Sequence, residues 1–149
     1  MIPENRVREL MLEAISEAEK SAPEDRGTHP RVGAVLADSA GKLLERAHRG
    51  ESGQGDHAEF LLLTKAKQKG VALKDASIFV TLEPCTARGP GKIPCTERIL
   101  ESGISTVYIG MLDPNPQICG RGETLLRYRI TVERFPGDLQ AVSKPGTGL

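Results

Sequence analysis

The stretch around which the fold is organised reads TLEPCTARGPGKIPC and runs from residue 81 to residue 95. A shorter stretch upstream, DHAEF, covers residues 56–60. Together they supply one imidazole, two thiols that each follow a proline, and a carboxylate two residues after the imidazole: His57, Cys85, Cys95 and Glu59. One imidazole and two thiolates are a ligand set for zinc that leaves a coordination position open for water. The carboxylate predicts an acid/base catalyst that is not itself a ligand.

The chemistry of this set explains why both stretches are needed. A neutral imidazole and two thiolates balance the charge of Zn²⁺, which lowers the pKa of a coordinated water from about 15.7 toward about 7. Free cysteine has a pKa of about 8.5, and a helix predicted to begin at Cys95 would stabilise its thiolate. Glu59 could take the water proton, pass it to a ring nitrogen of an amidine-type base, and protonate the departing amine. The order His-x-Glu followed by Pro-Cys-x-x-Cys is typical of zinc-dependent deaminases, although here nine residues separate the two cysteines.

One other interpretation of the cysteines remains open at this point. A structural zinc site would close with a fourth protein ligand, for which Cys119 or His48 is available. Such a site would make the protein a zinc-stabilised interaction domain without catalysis, but it would have no use for Glu59. Cys119 is expected to be a bystander thiol in a loop.

Length and composition limit the function further. A chain of 149 residues is expected to form one domain, and its 20 basic and 20 acidic residues cancel. Aromatic residues make up only 3% of the chain, and tryptophan is absent. The composition therefore does not indicate a basic groove with aromatic side chains on which bases could stack, and this disfavours a deaminase of single-stranded DNA or RNA. Three cysteines, two of them in a metal pattern, fit a reducing compartment. Without a signal-peptide or transmembrane pattern, we expect a cytoplasmic protein that does not contact membranes.

Hydrophobic periodicity and turn residues predict an α/β domain with a mixed sheet and helices on both faces. Asp56 is expected to cap the helix that follows it, and Gly70 to end that helix. The deaminase domain is predicted to cover residues 1–136, and the Gly-, Pro- and Ser-rich residues 137–149 to form a flexible tail or linker. The predicted helices cover residues 5–21, 57–69, 95–102 and 123–128, and the predicted strands cover 32–37, 42–48, 77–81, 105–111 and 130–134.

Several short motifs resemble the cytidine-deaminase-like zinc enzymes, and among them most of all the pyrimidine deaminase domain of bacterial riboflavin-biosynthesis deaminase/reductases. The motifs lie between about residues 30 and 122. They are PRVG at 30–33, His48, HAE at 57–59, TLEPC at 81–85, PCT at 94–96, DPNP at 113–116 and GRG at 120–122. The last two are fairly specific to that branch.

The resemblance implies a three-layer α/β/α sandwich on a five-stranded sheet, and frequent homo-oligomers. It also implies that His57, Cys85 and Cys95 are the zinc ligands and Glu59 the proton shuttle. His48, Asp113 and Asn115 would lie around the substrate. The chain departs from the family pattern at His29, where an asparagine is usual, and at Thr86-Ala87, where the loop usually begins Ser-His and is one residue shorter.

The expected function is therefore hydrolytic deamination of an aminopyrimidine, nucleoside or nucleotide, with the riboflavin-pathway diaminopyrimidine nucleotide as one candidate. Asp113 and Asn115 lie in a proline-stiffened loop after a strand, where an acidic group suits sugar hydroxyls. His29 offers a donor and an acceptor with a charge that changes near pH 6.5. A phosphate would be bound by Arg88, Lys92 or Arg121.

Overall fold

The structure, a computed structural model, describes residues 2–21, 30–53 and 55–142, so that His29 lies outside the described residues. Five helices and five strands are assigned within these ranges. They are α1 (Glu4–Ala18), β1 (Gly33–Ala37), β2 (Leu43–His48), α2 (Ala58–Gln68), β3 (Ser77–Leu82), α3 (Cys95–Ser102), β4 (Thr106–Met111), α4 (Arg121–Arg127), β5 (Thr131–Arg134) and α5 (Gly137–Val142).

The strands form one mixed sheet in the order β2-β1-β3-β4-β5. The strand β1 is antiparallel to both of its neighbours, β2 and β3. The remaining pairs, β3 with β4 and β4 with β5, are parallel. The carboxyl ends of β3 and β4 therefore lie side by side, which brings the cysteine-bearing loop next to the loop that begins at Leu112.

Two apolar cores separate the sheet from its helices, because alternate residues of each strand point to opposite faces. On one face, Ile78 of β3 packs with residues of α2, α3 and α4, including Leu62 and Ile99. On the other face, Phe79 packs with residues of α1 and with Leu139 of α5. Helices on both faces of a five-stranded mixed sheet confirm the predicted three-layer architecture.

Helix α1 lies unusually close to the sheet at Gly33, the first residue of β1. A Cβ added to this residue would overlap the carbonyl oxygen of Ala14 and the backbone nitrogen of Ala18. Only glycine permits this approach of helix backbone to strand backbone.

Two details differ from the sequence interpretation. The segment from residue 137 was expected to be a flexible tail, but α5 occupies Gly137–Val142 and Leu139 is only 4% exposed. The apolar contact of Leu139 with the core beneath α1 is the physical reason; residues 143–149 lie outside the described residues. The residue that precedes α2 is His57, and Asp56 does not cap the helix but accepts a hydrogen bond from the Ser52 hydroxyl.

None of the described helices combines the length and apolar character needed to cross a lipid bilayer.

Candidate active site

Three side chains from distant parts of the chain meet at one end of the sheet. His57 precedes the first residue of α2, Cys85 follows β3, and Cys95 is the first residue of α3. The Nδ1 atom of His57 lies 3.4 Å from the Cys95 sulfur and 3.7 Å from the Cys85 sulfur. All three donor atoms lie within 4.8 Å of one another. This is the grouping predicted from the two motifs, and it could hold a metal ion.

The electrostatics of the cluster favour a thiolate at Cys85. The Cys95 thiol donates a hydrogen bond to the Cys85 sulfur and, with contributions from His57 and the Cys95 backbone N–H, lowers the pKa of Cys85 to about 4. That backbone N–H lies 3.3 Å from the Cys85 sulfur and belongs to the first turn of α3, whose unpaired N–H groups attract negative charge. The same thiol interaction, together with burial, raises the pKa of Cys95. A soft donor set of this kind fits zinc.

Glu59 lies in the first turn of α2 and is 4% exposed. Burial raises the pKa of its carboxyl to about 6, and the charges of His57 and Arg88 oppose that rise. A buried carboxyl of this kind can both accept and donate a proton near neutral pH.

A cleft of about 180 Å³ opens over these groups. It is lined by His57, Glu59 and Cys85 together with Asp113, which was predicted to contact the substrate. The other lining residues are Pro30, Val32, Arg49, Ala58, Leu82 and Glu83. Asp113 is thus the one predicted substrate residue of the described chain that lines the cleft.

Glu83 holds the cysteine loop and the loop after β4 together. Its buried carboxylate accepts hydrogen bonds from three backbone N–H groups, those of Asp113 at 2.9 Å, Gly120 at 3.0 Å and Glu123 at 2.8 Å. Next to it, a Cβ on Gly122 would overlap the carbonyl oxygen of Pro84, so the start of α4 packs directly on the residue before Cys85. This anchoring sets the position of Asp113 relative to the cluster.

The other predicted substrate residues lie outside the cleft lining. The Nδ1 atom of His48 lies 2.9 Å from a carboxylate oxygen of Glu17. The side-chain oxygen of Asn115 accepts a hydrogen bond from the Gln117 N–H, so Asn115 shapes its own loop. Lys92 and Arg121 are exposed, and Arg88 lies against the ring of Phe60.

The fourth ligand of a structural zinc site is not supplied by the described residues. Neither His48 nor Cys119 joins the group of donor atoms around His57. His48 instead groups with Glu17 and Glu51, and Cys119 is exposed.

Sequence reasoning missed Arg49 and Glu83. A carboxylate inside TLEPC gave no sign that it would bind backbone groups 30 to 40 residues away. Arg49 stands directly after His48, and nothing in its residue type or in its charged, glycine-rich surroundings indicated that it would line the cleft.

Residues 4–111 match a family described as the cytidine and deoxycytidylate deaminase zinc-binding region. The chain belongs to this family. This match confirms the resemblance inferred from the motifs, and the matched family is one that binds zinc.

Curated relatives point to the same branch. The riboflavin biosynthesis protein RibD of Aquifex aeolicus is 42% identical over 102 residues, which are 67% of this chain and 27% of that protein. The diaminohydroxyphosphoribosylamino-pyrimidine deaminase of Buchnera aphidicola is 38% identical over 101 residues, 66% of this chain and 63% of that protein. The chain thus spans about a quarter of the length of the RibD relatives.

Solved structures share the fold. A diaminohydroxyphosphoribosylaminopyrimidine deaminase/reductase of Thermotoga maritima aligns with a TM-score of 0.79 at 34% identity over 93% of this chain and 39% of that chain. The Rib2 deaminase of Aspergillus oryzae, solved in complex with DARIPP, aligns with a TM-score of 0.72 at 26% identity over 87% of this chain and 84% of that chain. These matches confirm the cytidine-deaminase-like fold.

Proposed function

We propose that the protein is a zinc-dependent hydrolytic deaminase of an aminopyrimidine nucleotide, with His57, Cys85 and Cys95 as the zinc ligands and Glu59 as the proton carrier. The observation that supports this most directly is the shared cleft: two members of the three-donor cluster, His57 and Cys85, line the same small volume as the buried carboxylate of Glu59. A structural metal site has no need of that carboxylate.

The reaction replaces an exocyclic amine by oxygen and releases ammonia. Zinc held by the three donors would supply a water whose pKa is lowered toward about 7. Glu59 accepts a proton from water in the cleft and passes it to the ring nitrogen next to the carbon under attack. It then carries the second proton to the amine as the C–N bond breaks. The cleft walls, including Leu82 and Ala58, limit the access of other water.

The size of the cleft bears on the substrate. At about 180 Å³ it is smaller than the 300–1,000 Å³ of pockets for drug-sized ligands, so it suits a single base and leaves a sugar and phosphate at its mouth. Asp113 lines the cleft and can accept hydrogen bonds from amino or hydroxyl groups. The relatives named as diaminohydroxyphosphoribosylamino-pyrimidine deaminases support a substrate of that class, an aminopyrimidine with a phosphoribosylamino group.

Ammonia release from a panel of compounds tests this proposal. The zinc-loaded protein would be assayed with diaminohydroxyphosphoribosylaminopyrimidine, cytidine, deoxycytidine, dCMP, guanine and single-stranded DNA. We expect turnover of the phosphoribosylaminopyrimidine and loss of that turnover in Asp113→Ala. Turnover of free bases alone would refute a nucleotide substrate, and efficient turnover of DNA would establish the polynucleotide alternative.

We also infer that the protein forms homo-oligomers in the cytoplasm. Support for association comes from exposed apolar side chains at and beside α4: Ile118, Leu125 and Tyr128 are 37%, 41% and 81% exposed. Reduced thiols at the cluster suit a reducing compartment. Sedimentation velocity of the protein and of Leu125→Ser/Tyr128→Ser would test the association; a monomer at micromolar concentration would contradict it.

A further inference from the structure

Helix α3 begins at Cys95, and the residue before it, Pro94, has no polar side chain with which to cap the helix. The first two N–H groups of α3 are bound instead by Cys85, ten residues earlier in the chain. The N–H of Cys95 lies 3.3 Å from the Cys85 sulfur, and the N–H of Thr96 donates to the Cys85 carbonyl oxygen at 3.1 Å. One proposed zinc ligand thus caps the helix that begins with another.

The side chain of Thr96 adds a third contact between the two segments. Its hydroxyl donates a second hydrogen bond to the same carbonyl oxygen of Cys85, at 3.0 Å. Thr96 is 0% exposed, so water does not compete for this bond. A carbonyl oxygen has two lone pairs, and the backbone and side chain of Thr96 together supply a donor for each. One residue therefore fixes the backbone of Cys85 on the first turn of α3.

The loop between the two cysteines is open to solvent. It has nine residues, of which residues 89–93 are exposed, and a Cβ added to Gly89 or Gly91 would meet nothing within 4 Å. A loop of this length and composition does not by itself fix the distance between its ends. The position of Cys85 relative to Cys95 is therefore set by the hydrogen bonds to the start of α3.

We propose that Thr96 is a positioning residue for the proposed zinc site: by binding the Cys85 carbonyl twice, it holds Cys85 beside Cys95 before a metal ion binds them. A residue that orients a metal ligand without touching the metal commonly changes metal affinity by roughly 10–100-fold. The hydroxyl is the part of Thr96 that a substitution removes while the backbone bonds of α3 remain. The inference rests on the proposed function for the identity of the metal, and metal affinity is measured without any substrate.

The first experiment measures the zinc affinity of the protein by competition with a chromophoric chelator. Thr96→Val replaces the hydroxyl by a methyl group of the same size, and Thr96→Ser keeps a hydroxyl. The matched control is Thr81→Val, because Thr81 is also 0% exposed and its hydroxyl oxygen accepts a hydrogen bond from the Gly33 N–H at 3.1 Å. We expect a Kd about tenfold larger for Thr96→Val, within about threefold for Thr96→Ser, and within about twofold for Thr81→Val.

Urea unfolding of the metal-free proteins separates positioning from general stability. Both valine substitutions should lower the urea midpoint, because each removes a buried hydrogen bond. Only Thr96→Val should also weaken zinc binding. A lowered midpoint for both variants with an unchanged zinc Kd would mean that Thr96 has a purely structural role, and would overturn the proposal.

The second experiment replaces zinc by Co²⁺, whose visible absorption bands report on the geometry of the ligands. A tetrahedral site with two thiolates gives intense bands, and these weaken when the geometry is distorted. Thr96→Val should shift or weaken the bands, whereas Thr96→Ser and Thr81→Val should reproduce the spectrum of the unsubstituted protein. Identical spectra for all four proteins would overturn the proposal, because the position of Cys85 would then not depend on the hydroxyl.

These measurements distinguish failure of the positioning role from failure of the proposed function. If the protein deaminates no nucleotide while zinc affinity still depends on the Thr96 hydroxyl, the positioning role stands and the proposed function fails. If deamination proceeds and Thr96→Val binds zinc as tightly as the unsubstituted protein, the proposed function stands and the positioning role fails. Absence of zinc binding by the unsubstituted protein would refute both.

Discussion

At the scale of single residues, Glu59 has the clearest proposed role. We predict that Glu59→Gln keeps the fold and the zinc but lowers deamination by roughly 10²–10⁴-fold, because an amide of the same shape cannot carry a proton. Glu97→Gln, at an exposed position of α3, is the matched control and should retain full turnover. Ammonia release and elemental analysis measure the two effects. Near-normal turnover of Glu59→Gln would show that another group moves the proton.

Gly122 offers a second test at this scale, because its missing side chain makes room for the Pro84 carbonyl. Gly122→Ala should destabilise the protein by about 1–3 kcal/mol, the usual cost of forcing extra volume into a packed site. Gly137→Ala, whose added Cβ would meet nothing within 4 Å, should be nearly neutral. Urea unfolding gives both values. Equal urea midpoints for the two variants would mean that α4 moves to make room for the added methyl group at no cost in stability.

The residues that sequence reasoning identified at the site are those whose chemistry is local. His57, Glu59, Cys85 and Cys95 follow from their types and spacing in two short motifs. The role of Glu83 could not be predicted, because its three partners are backbone N–H groups, which every residue except proline carries. The role of Asn115 could not be predicted either. Its side-chain oxygen accepts a hydrogen bond from a backbone N–H of its own loop, and nothing in the motif indicates this contact.

At the scale of helices and strands, the interpretation agreed with the structure wherever apolar periodicity was strong. All five predicted strands and four predicted helices are present, with ends displaced by a few residues. The helix α5 was missed because its sequence, GDLQAV, is short and follows a proline; its burial depends on Leu139 reaching the core under α1. The packing of Leu139 against the core therefore stabilises this helix, which local helix propensity alone does not predict.

The connection of α4 to β5 depends on Glu123, whose carboxylate binds Arg127 at 2.7 Å and Arg134 at 2.6 Å. These hydrogen bonds, chiefly that from Arg134, hold the pKa of Glu123 below its usual value. A lowered pKa in the folded state means that the carboxylate contributes stability above its unfolded pKa. That contribution is lost as the pH falls through the folded pKa.

We therefore predict that Glu123→Gln lowers the free energy of unfolding by about 1–3 kcal/mol at pH 7, with a difference that shrinks below about pH 4. Glu101→Gln, an exposed position on α3, should show no such dependence. Urea unfolding at several pH values gives the comparison. A penalty that stays constant down to pH 3 would contradict a role for the ionised carboxylate.

At the scale of the whole molecule, the three-donor cluster links segments that are far apart in sequence: His57 lies 28 residues from Cys85 and 38 from Cys95. We therefore expect metal binding at the proposed site to stabilise the whole domain. A ligand present at about 1,000 times its Kd adds about 4 kcal/mol to the free energy of unfolding. We predict that a chelator lowers the melting temperature and that added zinc restores it. Cys95→Ser should abolish this response, and Cys119→Ser, at an exposed thiol outside the cluster, should preserve it.

The two outer strands bear on how copies of this molecule can associate. At one edge, β2 has its charged side chains engaged, since Glu45 lies 2.6 Å from the Lys69 amine and Arg46 lies 3.2 Å from Glu13. At the other edge, β5 has only four residues, of which Glu133 and Arg134 are charged and exposed. Short or charged edges discourage the addition of a strand from another chain. Neither edge of the sheet therefore favours association by strand addition, which is the route by which copies of a chain grow into fibres.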